Sequence, residues 1–268
     1  MDRSTLPLEQ QIEYYLGKDR LPNLHWKPEI PESWTIPPRA GSLLCDYNTR
    51  GKSRFLDNIQ YKFNQLGYRS DFEYHVDTLK KKDLILLLGD SDTAGRGVEF
   101  VDLYSTKIRK LTNHYVINLG VAGISGDGMT RIGVQTIMAL GSSVKHVCVL
   151  WPVLSTREFV SKKFCHGVCR DGNYLPYDNW WDHIDWVSNN YNYQKNRLLI
   201  EQTTKNYGAQ YHDLIINRYD KTTPTTYNSI QDNELTEFTP ESHTAIANYF
   251  LRKINNQPSL FEQLKTQS

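Results

Sequence analysis

The sequence predicts a doubly wound parallel α/β sheet with helices on both faces and an extension ahead of it, and three observations lead there. Residues 84–88 are five consecutive aliphatics (LILLL) that stop at Gly89-Asp90-Ser91. An unbroken apolar run of that length suits a strand covered on both faces. Downstream, strand-like and helix-like stretches follow one another in a β-α-β-α-β order, which calls for crossover connections and parallel strands. The first two strands each open into a glycine-rich turn, at residues 89–97 and 118–128. Such sheets bind ligands at those turns, outside the carboxyl ends of their strands.

The elements read as follows. Six of the 11 prolines fall in the first forty residues, with Trp26, Trp34 and Ile36 between them. The prolines forbid a regular element, and the stretch is too apolar for a solvated linker. An arm lying against its own domain or against a protein partner is therefore expected. Phe55, Ile59, Phe63 and Leu66 recur at helical spacing, with Gly67 as the residue that lets the chain turn away. Residues 1–80 are thus read as arm plus helix, and residues 81–268 as the main domain. After the first strand, Val98, Val101, Tyr104, Ile108 and Leu111 mark a helix, and YVIN at Tyr115–Asn118 is the second strand. Met129, Ile132, Thr136, Ile137 and Leu140 give another helix that Gly141 ends, and VKHVCVLW at Val144–Trp151 is the third strand. Residues 152–190, aromatic and irregular with Trp180, Trp181 and Trp186, read as an insertion or lid. A helix over residues 194–205 feeds a strand at 210–216. In the last helix Thr239 caps, Pro240 takes the first position, and Ala247, Phe250, Leu251 and Ile254 form one apolar stripe.

Bulk properties narrow the partners. At 268 residues the chain can bury a sizeable core, and its formal charge of +1 with scattered lysines and arginines gives no reason to expect nucleic acid or an anionic membrane. No apolar run approaches the roughly 18 residues that span a bilayer, and MDRSTLPLEQ lacks the basic-then-apolar layout of a secretory leader. A cytoplasmic protein is expected. The cysteines, Cys45, Cys148, Cys165 and Cys169, are too few for a disulfide scaffold in a chain of this size. Cys148 inside a strand reads as a buried thiol. Cys165, His166 and Cys169 with His183 have loose spacing and no second paired set, so packing is the default and no metal is expected.

The chemistry lies at the two glycine-rich turns. Ser91 stands at the carboxyl end of the first strand, where it could be a nucleophile or merely a cap for the following helix. The loop after Asn118 carries Gly120, Gly123, Gly126 and Gly128, whose unshielded amides could hold an oxyanion. It has no lysine for a P-loop and follows the second strand rather than the first, against a dinucleotide site.

Together the segments GDSDTAG at residues 89–95 and Asn118-x4-Gly123 resemble the first two blocks of the SGNH/GDSL hydrolase superfamily, over a match running from about residue 83 to 254. The resemblance implies a flavodoxin-like three-layer sandwich, an esterase or deacylase activity, and no cofactor. It also implies that Ser91 is the nucleophile and that the amides of Ser91 and Gly123 are oxyanion donors. The family's third block supplies an asparagine donor; here the third strand runs into Trp151-Pro-Val-Leu-Ser-Thr-Arg157, and Arg157 or Ser155 would have to serve. The fourth block, Asp-x-x-His before the last helix, is replaced by Glu234-Leu-Thr-Glu237-Phe-Thr-Pro-Glu-Ser-His243. Aligning His243 with a second, helical histidine of the family puts Glu237 at the base position and Glu234 at that of its orienting acid. Aligning it with the catalytic histidine moves the base a turn into the helix and puts Pro240 at the acid. His183, flanked by Asp182 and Asp185, is a further candidate base.

Two functions follow as expectations. One is a serine esterase or deacetylase acting on acyl esters, O-acetylated glycans among them because the tryptophans could stack on sugars. The other is a catalytically degenerate binding or structural module, such as a phage virion component. With the asparagine and histidine replaced, weak or undetectable hydrolysis is expected.

Overall fold

A computed structural model describes residues 61–151, 157–160, 165–168, 186–215 and 239–256. Their element order is α1 (Val76–Leu79), β1 (Leu84–Leu88), α2 (Ser91–Ala94), a 3-10 turn (Phe100–Asp102), α3 (Tyr104–Leu111), β2 (Tyr115–Asn118), α4 (Gly126–Leu140), β3 (Val144–Trp151), β4 (Arg157–Val160), β5 (Cys165–Val168), α5 (Trp186–Asn206), β6 (Gln210–Ile215) and α6 (Pro240–Ile254). Four strands form one parallel sheet in the order β2-β1-β3-β6, the doubly wound arrangement the sequence predicts.

Burial on both faces explains why β1 has no polar alternation. Leu84, Leu86 and Leu88 point into a core shared with Met129, Ile132 and Ile137 of α4 and Tyr193 and Ile200 of α5. Ile85 and Leu87 point the other way, toward Tyr104 and Ile108 of α3 and Ile246, Ala247, Phe250 and Ile254 of α6. Every β1 side chain therefore leaves water, at roughly 1.5–3 kcal/mol of transfer free energy each. Cys148 is a free, buried thiol on the α3/α6 side, and burial pushes its pKa up. No helix among the described residues is long and apolar enough to cross a membrane.

Three expectations are corrected. The helix through Phe63 and Leu66 is absent among the described residues: Phe63 bridges to Arg69, and the Asn64 side chain accepts from the Tyr68 amide. That bond offers the backbone a turn in place of a helix, completed by Gly67 at φ 83°. The helix expected from Val98 to Leu111 is broken at Leu103, whose φ/ψ of −58°/139° separates the 3-10 turn from α3. Its apolar register is lost there, and Val101 and Leu111 stand 59% and 67% exposed. The stretch 152–190 is not wholly irregular, since β4 and β5 pair as an antiparallel hairpin and α5 begins at Trp186. Residues 1–60, which hold the arm and the start of the expected helix, and Trp180, Trp181 and His183 lie outside the described residues.

One buried carboxylate ties the β3/β6 edge to α5. Asp213 Oδ2 accepts from Arg197 Nε at 2.8 Å, Tyr211 OH at 3.1 Å, Trp151 Nε1 at 3.2 Å and Tyr193 OH at 3.3 Å. Asp213 is 8% exposed, so these donors replace the water it has lost. Replacing it with asparagine removes the charge from the Arg197 bond and weakens the three neutral ones, even with the amide oxygen turned to where Oδ2 stands. Because a hydrogen bond to a charged group contributes roughly 1.5–3 kcal/mol, Asp213→Asn should lower the thermal midpoint by roughly 4–8 °C, read by calorimetry. An unchanged midpoint would mean that the donors are satisfied some other way.

Candidate active site

The sheet reverses its winding between β1 and β3. The chain leaves β1 toward β2 on one side, then crosses back over β1 to reach β3. A crevice for ligand opens at the carboxyl ends of the strands on either side of such a point. Ser91 follows β1 there, as the first residue of the one-turn helix α2. Asp90 caps that helix by accepting from the Asp92 amide at 3.2 Å, and Gly95 ends it with φ 73°. The sharp turn leaves Ser91 half-buried. Its carbonyl accepts from Arg96 N at 2.9 Å. Among the described residues neither its Oγ nor its amide has a hydrogen-bond partner.

The β1/β2 ladder continues past both strand ends, which brings the second glycine-rich turn alongside. Leu119 N donates to Leu87 O at 2.9 Å and Val121 N to Gly89 O at 3.1 Å. Ser91 lies two residues beyond Gly89, and Gly123 two beyond Val121. Ile124 N closes a turn on Val121 O at 3.1 Å with Gly123 at φ 75°, the turn position that demands glycine. This turn leaves the Gly123 amide unengaged among the described residues. Among the described residues, two N–H donors and one hydroxyl on neighbouring turns are thus without a partner, a set that could serve acyl transfer.

Close packing fixes the two turns to each other. A β-carbon on Gly120 would lie 2.2 Å from Ala94 N and 2.4 Å from Thr93 C, and one on Gly89 would lie 1.9 Å from Thr93 Oγ1. Asn118 clamps the same place: its Nδ2 donates to Thr93 O at 2.8 Å and Ser105 Oγ at 3.3 Å, while its Oδ1 accepts from Gly120 N at 2.9 Å. Tyr74 OH holds the Asn118 backbone from behind, accepting from its amide at 3.0 Å and donating to its carbonyl at 3.2 Å. Arg69, 1% exposed, reaches from the turn before α1 to the loop after α2. It donates to Gly95 O and, at 2.6 Å, to Val98 O, with Tyr61 stacked 4.5 Å from its guanidinium carbon. Sequence reasoning missed Arg69 and the clamp; the one signal for the clamp was Asn118 standing where the loop begins.

His243 sits behind this frame. It is fully buried on α6, its ring 5.8 Å from that of Tyr104 at 26°, and its Nδ1 accepts from Tyr104 N at 3.2 Å. Tyr104 opens α3, so the imidazole satisfies one of the orphan donors at that helix's start. With the Nδ1 lone pair engaged by that amide, the neutral ring carries its one proton on Nε2. Tyr104 OH in turn donates to Thr93 Oγ1 at 2.9 Å, linking the histidine to the Ser91 turn through packing rather than proton transfer. Arg157 opens β4. Glu234 and Glu237 lie outside the described residues.

No family model matches this sequence, and no curated protein matches it. Among solved structures it is similar to AlinE4, an SGNH-hydrolase family esterase, at 14% identity over 65% of this chain and 73% of that one, with a TM-score of 0.34. It is similar to a member of the lipolytic protein G-D-S-L family from Veillonella parvula DSM 2008 at 12% identity over 69% and 84%, TM-score 0.32. A third match is the psychrotrophic esterase EstA from Pseudoalteromonas sp., at 14% identity over 62% and 72%, TM-score 0.31. At these TM-scores the likeness carries no argument; the fold class stands on strand order and register, and the site on its own residues.

Proposed function

We propose that this chain is a serine-type acyl-ester hydrolase of low turnover in which Ser91 is the nucleophile and the Ser91 and Gly123 amides hold the oxyanion. The observation that supports it best is the trio of unengaged groups, Ser91 Oγ, Ser91 N–H and Gly123 N–H, on turns locked together at the carboxyl end of β1. In this reading Ser91 Oγ attacks the ester carbon and its proton passes to a base. The tetrahedral oxyanion collapses with loss of the alcohol, which takes that proton, and water then hydrolyses the acyl-serine. Acyl esters, O-acetylated glycans among them, are the substrate class.

The burial of His243 favours the alignment that puts Glu237 at the base position and Glu234 behind it. An ordinary glutamate, with a pKa near 4.3, is a weaker base than imidazole, and general-base help is worth roughly 10²–10⁴-fold. Turnover of an activated aryl acetate should therefore be slow but measurable, and Ser91→Ala should reduce it to background. Glu237→Gln should lower the rate as far, whereas His243→Ala should cost stability more than rate. The rate should hold down to about pH 5, where a histidine base with a pKa near 6.5 would already be protonated. Equal rates for the parent and Ser91→Ala would overturn the proposal. They would favour the second reading, a degenerate binding or structural module such as a virion component, to which the commitment of His243 to Tyr104 also lends support.

A further inference from the structure

At the amino end of the sheet, opposite the Ser91 turn, three histidines gather with no part in the proposed chemistry. His146 is the third residue of β3 and His212 the third of β6. They are diagonal neighbours on the face covered by α3 and α6, since His146 pairs in register with Gln210, and Cys148 with His212. His146 Nδ1 lies 3.2 Å from His212 Nε2. The ring centroids are 5.4 Å apart and the planes differ by 23°. The rings therefore meet head-on through their nitrogens, with the ring bodies on opposite sides of the contact. His114, just before β2, presents its ring edge-on to His146 at 5.3 Å and 83°.

We propose that the His146–His212 pair is an acid-released latch that holds β6 in register on β3. A head-on N···N hydrogen bond needs one nitrogen to donate and the other to accept. The neutral pair satisfies this with the protons it has. One added proton still allows a bond, the imidazolium N–H donating to the neutral ring once that ring carries its proton on its other nitrogen. A second proton leaves two N–H groups facing each other, and the rings then have to part. The contact leaves no space for a metal ion between the rings, and no group of three histidine, cysteine or carboxylate side chains among the described residues could hold one.

The surroundings resist charging the latch. Burial is the largest influence on both rings, and it lowers each pKa to about 4. His114 adds to the effect on His146; His146 and Lys253 of α6 add to it on His212, while Asp213 alone works the other way. The folded pKa values lie below the unfolded value near 6.5, so the unfolded chain binds more protons between those limits. Stability from the latch is thus complete above about pH 6.5 and is lost as pH falls toward 4. β6 is where that loss should be felt first, because among the described residues β3 is the one strand paired with it and the Asp213 carboxylate holds it from the opposite face.

Two measurements on the full chain test this. Imidazole nitrogen NMR between pH 7.5 and 4.5 should show His146 and His212 titrating as a coupled pair below the ordinary histidine range. Hydrogen exchange, corrected for intrinsic rate, should show protection of the β6 amides falling at least tenfold relative to β1 over the same span. In His146→Phe, which keeps a flat ring but no nitrogen, the β6 protection should change less than twofold with pH. Should that variant fail to fold, the parent's two titrations decide alone. Independent titration of both rings near pH 6.5, or β6 protection that does not respond to acid, would overturn the latch.

Discussion

Gly120→Ala should destabilise the protein by about 3 kcal/mol, at the upper end of what overpacking costs. The new β-carbon would sit 2.2 Å from Ala94 N, 2.4 Å from Thr93 C and 2.8 Å from Thr93 Cβ. Two of those atoms are backbone and cannot swing away. The ladder bonds Leu119 N to Leu87 O and Val121 N to Gly89 O hold one side, and Asn118 Nδ2 on Thr93 O holds the other, so relief requires breaking one of them. A loss of that size should lower the thermal midpoint by roughly 6–12 °C. Gly208→Ala makes a useful contrast, because its β-carbon would meet open space and the cost is only that of φ +74°, roughly 1–2 kcal/mol. A Gly120→Ala midpoint within a degree or two of the parent would show that the turns are not locked in this way.

Arg69→Met should cost about 3 kcal/mol and loosen the loop that follows Ser91. The guanidinium fork feeds two carbonyls, Gly95 O and Val98 O, from one side chain, and each bond from a charged donor is worth roughly 1.5–3 kcal/mol. Part of the sum is offset because removing the cation also removes its desolvation cost. Methionine fills the stem's volume and leaves both carbonyls short of a donor. Arg69→Lys should fall between, since a single ammonium cannot reproduce the fork. Urea unfolding measures both, and a methionine variant as stable as the parent would contradict this role.

What the sequence made legible was local. The aliphatic run of β1, the second-strand segment at Tyr115–Asn118 and the Thr239-Pro240 start of α6 each carry their signal within a few residues. The two glycine turns were readable because a turn chemistry was written into them. The features that decide the site's rigidity were not, because they join distant positions. His243 meets Tyr104 across 139 residues, and Arg69 meets Val98 across 29. Asp213 gathers donors from β3, α5 and β6. Nor could helical spacing at Phe63 and Leu66 reveal that Asn64 would cap a turn there, since a side chain competing for the backbone leaves the apolar period unchanged. His243 itself was legible as a residue of interest but not as a cap, since its spacing from Glu237 says nothing of what its Nδ1 accepts.

The central proposal is that Ser91 is a nucleophile beside two amide donors that are unengaged among the described residues, and covalent capture tests it most directly. A fluorophosphonate reacts when serine Oγ attacks phosphorus, fluoride leaves and the hydroxyl proton passes to a base. Incubating the full chain with such a probe and mapping the product by mass spectrometry should give a single phosphonyl adduct on the peptide containing Ser91, absent from Ser91→Ala. No adduct on the folded chain, or an adduct that persists in Ser91→Ala, would contradict the account.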